Sequence, residues 1–174
     1  MRLPCEIMDN SFNWDAEAFF RRLTKANKFA RDNGFAFRSV SSLEGFRSLI
    51  SSPTSARAYV AVSDVSQGGI DMHNSPHTRR VKTVFLFMRH AADDPDLRKA
   101  ALAKLNELFR QFLSVLIQEK TRLEQNCIYI DDRISFTEID KHFFTGGSCA
   151  FFQIAADTFT NLVYNPDEWT EKMM

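Results

Sequence analysis

A chain of 174 residues, 44% hydrophobic and 25% charged, is long enough to bury a proper core and fits one globular domain. Lys plus Arg and Asp plus Glu both number 22, and zero net charge excludes a protein that must coat nucleic acid, whose phosphates call for a cationic surplus. No apolar run reaches the roughly 18 residues needed to span a bilayer, and residues 1–10 carry acids where a signal peptide keeps an unbroken apolar stretch, so synthesis in a cytoplasm is expected.

Asn13 is placed to cap a helix starting at Trp14, with Asp15 and Glu17 in the first turn, where the positive end of the helix dipole favours them. Apolar residues recur at Ala16, Phe19, Phe20, Leu23, Ala26, Phe29 and Ala30, with Arg21, Arg22, Lys25 and Lys28 opposite. This spacing predicts one amphipathic helix ending at Gly34, a natural residue for the position after a helix end. Phe35 to Val40 alternates and reads as a brief strand. Ser41 and Glu44 form an S-x-x-E capping box ahead of Phe46, Leu49 and Ile50, predicting a second, shorter helix to about Ser51.

Residues 57–65 read as a strand, with Tyr59, Ala61 and Ser63 on one face and Val60, Val62 and Asp64 on the other. Residues 66–78 contain Gly68, Gly69 and Pro76, lack periodicity and read as a long loop or extended arm. Connections longer than about 12 residues tend to be functional, which makes this one a candidate contact surface. Residues 81–88 are apolar on both faces, as in a central strand covered on both sides.

Asp94 as a cap, Pro95 at the first helical position and Asp96 in the first turn predict the start of the longest helix. Its apolar set runs from Leu97 through Ala101, Leu105, Leu108, Phe109, Phe112 and Leu116 to Leu123, over about 40 Å. Leu102, Leu113, Val115 and Ile117 widen the stripe, so the helix is expected to pack a sheet on one side and something else on another. Three strands follow, at 128–130, 134–140 and 149–157, the last two joined in a hairpin through Gly146 and Gly147. Residues 161–174, with Pro166 and Trp169, read as an irregular tail.

The fold expected is α+β, a mixed or mostly antiparallel sheet packed against one long amphipathic helix, in a single domain. Its parts are an N-terminal helical region (1–56), a core (57–157) and a C-terminal tail (158–174). The 17 phenylalanines either fill a Phe-rich core or supply protein contacts, since Phe is favoured in both.

No motif carries an evident chemistry. His73 and His77 stand four apart with Asp71 nearby, but Pro76 removes the helical geometry that makes H-x-x-x-H a metal motif. Asp131, Asp132, Glu138, Asp140 and His142 form an acidic cluster whose alternation fits a half-exposed strand rather than a cation site. Cys149, beside Gly146, Gly147 and Ser148, is followed by a strand where a nucleophile elbow needs a helix, and reads as a buried thiol. Gly68 and Gly69 match no phosphate-binding pattern. Arg79, Arg80, Lys82 and Arg89 cluster near a strand entry and read as a solvated rim. Cys5, Cys127 and Cys149 are an odd number without CxxC spacing, which points to unpaired thiols in a reducing compartment. No catalytic residue, metal or cofactor is expected.

The order of helix, strand (Ala58-Tyr59-Val60-Ala61-Val62), long loop, strand (Val84-Phe85-Leu86-Phe87-Met88), helix opening after Asp93-Asp94-Pro95, and closing strands at 134–140 and 149–157 resembles that of phage tail-terminator and neck-ring proteins. The likeness covers roughly residues 57–157, and the longer N-terminal helical region departs from it. It implies a non-catalytic virion protein, made in the host cytoplasm, that forms a homo-oligomeric ring, commonly a hexamer. Its partners would be other copies and neighbouring tail-tube or neck proteins, with DNA passing through and no membrane. The expected subunit interface combines Gln67, Gly68, Gly69, Ile70 and Met72 of the loop with Leu102, Phe109 and Leu113 of the long helix. The alternative is a small cytoplasmic adaptor, or an enzyme whose site is assembled from scattered residues.

Overall fold

The computed structural model describes residues 14–52, 56–73, 76–91, 94–139 and 146–170. The N-terminal helix begins two residues later than the sequence predicts. Asp15, not Asn13, accepts the hydrogen bond from the Ala18 N–H and caps α1 (Ala16–Ala26). The amphipathic stretch then breaks at Asn27, which leaves helical geometry, caps α2 (Lys28–Asp32) with its side chain, and donates to Gln111 at 2.8 Å. Gly34, at φ 72°, turns the chain into β1 (Phe35–Val40). Ser42 rather than Ser41 caps α3 (Leu43–Ser51), because the Ser41 hydroxyl is used on Asp64. Helix α3 is the crossover that brings β2 (Ala58–Ser63) parallel to β1.

After β2 the chain does not enter a loop. It forms β3 (Gln67–Asp71) and then β4 (His77–Arg89), so most of the segment read as a loop is a hairpin. Both β2 and β3 pair antiparallel with β4, but Val62 faces Val84 while Gln67 faces Val81, which leaves two extra residues between them. That bulge is held internally: Lys82 Nζ donates to the carbonyls of Ser63 and Asp64, and the Ser63 hydroxyl accepts from the Thr83 N–H.

Helix α4 (Pro95–Gln125) is 31 residues, about 46 Å, long. As the sequence predicts, Asp94 caps it, its Oδ1 accepting from the Asp96 and Leu97 N–H groups. It leads to β5 (Ile128–Ile130), β6 (Phe136–Ile139) and β7 (Gly147–Phe159). The seven strands make one mixed sheet, mostly antiparallel, with the long pair β4 and β7 at its centre, in register from His77 opposite Phe159 to Arg89 opposite Gly147. At one end this pair is flanked by β2 and β6, at the other by β3 and β5.

One face of the sheet (Val60, Val62, Val84, Leu86, Phe152 and Ile154) buries against α1 and α4, through rings such as Phe20 on Phe112 and Phe152. Among the described residues the opposite face is covered at the β2 end, where Phe46 and Ile50 of α3 meet Tyr59, Phe85 and Phe87. Much of the phenylalanine excess is thus spent on two cores. Since β1 belongs to the same sheet, the N-terminal region is not separable from the core at residue 56.

Candidate functional site

The alternation of β4 and β7 puts His77, Arg79, Val81, Gln153 and Asp157 on the face that carries α3, in the part that α3 does not reach. There, beyond the end of α3, lies an open cleft of about 1110 Å³, with β3 and Gln67 along one side and Tyr129 of β5 on the other. Arg79 sits in its middle. It donates to both carboxylate oxygens of Asp131 and to Asp157 at 2.9 Å, tying β4 to β7 and to the end of β5. Hydrogen bonding to Asp131 raises the arginine's already high pKa; burial opposes it, and the charges of Asp131 and Asp157 add to the rise. His77 packs edge-on against Tyr129 and Phe159 at ring-centre distances of 5.7 and 6.0 Å.

The rim of this end is unusually apolar. Val65, Ile70, Met72 and Tyr129 are exposed there, and all five residues of β3 are exposed. Among the described residues β3 pairs with β4 alone, so its outer row of N–H and C=O groups faces outward. Gly69 has nothing within 4 Å of where a side chain would begin and keeps the cleft open, whereas a Cβ on Gly68 would lie 2.6 Å from the Arg79 carbonyl oxygen. The C-terminal tail leaves the sheet at the same end: the Thr160 N–H donates to the Pro76 carbonyl at 2.8 Å. Beyond it every residue from 161 to 170 is exposed, including Leu162, Val163, Tyr164 and Trp169.

Of the interface residues named from sequence, Gln67, Gly68, Gly69 and Ile70 line this cleft, and Met72 projects from the hairpin tip, 76% exposed. Leu102, Phe109 and Leu113 lie elsewhere and are half-buried against the chain's own core, Phe109 meeting Phe136 at 4.6 Å and Phe152 at 4.9 Å. The second partner expected for the wide stripe of α4 is therefore, in part, the chain's own β6. Leu97 and Ile117, 44% and 70% exposed, are the large apolar residues of α4 that stay uncovered.

The three described members of the acidic cluster are engaged separately. Asp131 is engaged by Arg79, Asp132 by Lys120, and Glu138 accepts from Asn106, while Asp140 and His142 lie outside the described residues. His73 is in the hairpin turn beside Asp71 and His77 is on β4; no group of three metal-ligating side chains occurs among the described residues. Lys82 and Arg89 are committed to backbone carbonyls, so the basic cluster is a set of internal ties, with Arg80 on the surface. Cys149 is buried, and burial pushes its thiol well above the usual range, which makes it a core residue and not a nucleophile. Cys127 is disulfide-bonded, against the reading of three unpaired thiols.

Sequence reasoning missed two arrangements. The convergence of Arg79, Asp131 and Asp157 depends on strand register across 78 residues and leaves no local pattern. The other is a serine–histidine pair: His90 Nδ1 donates to the Ala91 carbonyl at 2.8 Å, leaving Nε2 to accept from the Ser148 hydroxyl at 2.9 Å. That is the bonding order of a base and its nucleophile, but Ser148 is only 4% exposed, so its hydroxyl serves to fix His90 and is not offered to a substrate. No helix among the described residues is long and apolar enough to cross a membrane. In comparisons with known proteins, no protein-family model and no curated protein matches this chain.

Proposed function

We propose that this protein is a structural subunit that works by assembling with copies of itself, in a ring of the phage tail-terminator or neck type. The reading rests on one observation above others: an edge strand, five residues long and exposed throughout, stands beside exposed Val65, Ile70 and Met72 with no strand paired to its outer side among the described residues. Proteins that remain alone protect such an edge with lysine, proline or a short strand, and β3 (Gln-Gly-Gly-Ile-Asp) carries no such residue. The large cleft next to it offers paired charges and, among the described residues, no metal-ligating cluster, which favours contact over catalysis. Helix, strand, strand, long helix and closing strands occur in the order on which the tail-terminator likeness rests, with β3 standing where that likeness has a long loop.

Identical subunits meeting through different patches close into a ring when the rotation allows. In this reading neighbouring tail or neck proteins stack on the ring, DNA passes through it without sequence-specific contact, and the protein resides in the virion. Electron microscopy of the purified chain tests this. Closed rings are the expected outcome, abolished by deleting residues 67–75; a field of single subunits at high concentration overturns the reading.

A further inference from the structure

We infer that the exposed edge of β3 and its cleft receive the C-terminal segment of a neighbouring copy, residues 161–170, as an added strand. This rests on the assembly reading above and names the contact that would build it. Four properties of the donor segment carry the argument.

The first is exposure. All ten residues are exposed, yet four of them are large and apolar, and Val163 is 80% and Leu162 47% exposed. A short apolar run displayed in this way is characteristic of a segment that docks.

The second is length and propensity. Asn161-Leu162-Val163-Tyr164-Asn165 matches the five residues of β3, is rich in strand-forming side chains, and is closed by Pro166, which cannot donate to a ladder. Strand alternation would turn Leu162 and Tyr164 to one face and Val163 to the other. The open space over Gly69 gives the first pair a place in the cleft.

The third is charge. Residues 161–170 contain Asp167 and Glu168 and no basic residue, while the hairpin strand behind β3 carries the exposed Arg80, which makes no ion pair among the described residues; Arg79 is already held by Asp131 and Asp157. Main-chain pairing supplies affinity in strand addition, and flanking side chains set its direction.

The fourth is geometry. The chain's own tail departs from β7, which is separated from β3 by the whole of β4, and within two residues turns back on itself, the Val163 N–H bonding to the Asn161 side chain. Reaching the outer edge of its own β3 would require crossing β4 and β3, and a neighbour's β3 edge presents no such crossing.

The test uses two full-length variants altered only at exposed positions. Gly69→Trp fills the cleft of the acceptor, and Val163→Asp with Trp169→Ala disables the donor. Each alone should reduce the wild-type oligomer to single subunits, with thermal midpoints unchanged. Mixed in equal amounts, they should form heterodimers and nothing larger, because one intact donor meets one intact acceptor. Single subunits in the mixture would mean the tail docks on its own chain, and rings formed by both variants would mean the segment takes no part; either result overturns the inference. Wild-type rings that survive both variants leave the assembly reading standing, whereas a wild-type chain that is itself monomeric removes both.

Discussion

Two glycines on opposite ends of the sheet set opposite expectations. Gly147 ends β7 against Phe87, where a Cβ would come within 2.4 Å of the ring and 2.7 Å of the Met88 carbonyl oxygen. Gly147→Ala should destabilise the fold by about 1–3 kcal/mol through overpacking. Gly69→Ala meets nothing within 4 Å and should change stability by less than about 0.5 kcal/mol, both values measured by denaturant unfolding. Glu119 gives a pH signature. Burial would raise its pKa, but hydrogen bonds from Arg22 and Arg122 more than reverse this and hold it below its ordinary value of 4.5. The unfolded chain therefore takes up the proton first as pH falls, and the stability contributed by the bond between α1 and α4 is present above about pH 4.5 and lost below it. Glu119→Gln should be less stable than wild type at pH 7, and the difference should close in acid; a gap constant from pH 7 to pH 3 would contradict the assignment.

At the scale of elements, α4 shows what a local code can specify. Its start is set by Asp94, Pro95 and Asp96, contiguous in sequence, and the cap forms as their order predicts. Asp94→Ala should cost about 1 kcal/mol, read from the urea midpoint, and no change would refute the role given to the cap. The features that sequence hides are non-local. The break at Asn27 depends on Gln111, 84 residues away, and the choice of Ser42 over Ser41 as a cap depends on Asp64. Strand β3 has two glycines and no alternation, so nothing in it announces a strand; pairing with β4 and the lysine-held bulge ahead of it impose that state. The apolar runs of β2, β4 and β7 were legible because each is buried on both faces. The cleft was not, because Arg79, Asp131 and Asp157 meet only once register is set.

At the scale of the whole molecule, coverage is uneven. Helices α1 and α4 cover one face of the sheet, α3 covers half of the other, and the remaining half ends in an unpaired edge, an apolar rim and an exposed tail, all at one end. A balanced net charge offers no long-range repulsion to keep copies apart. In the proposed reading, other copies of the chain cover these surfaces. Native mass measurement over a range of concentrations tests this most directly. The account predicts a discrete, concentration-stable assembly, about 120 kDa if six copies of the 20.0 kDa chain close the ring. A species of 20.0 kDa that persists at the highest concentration would contradict it.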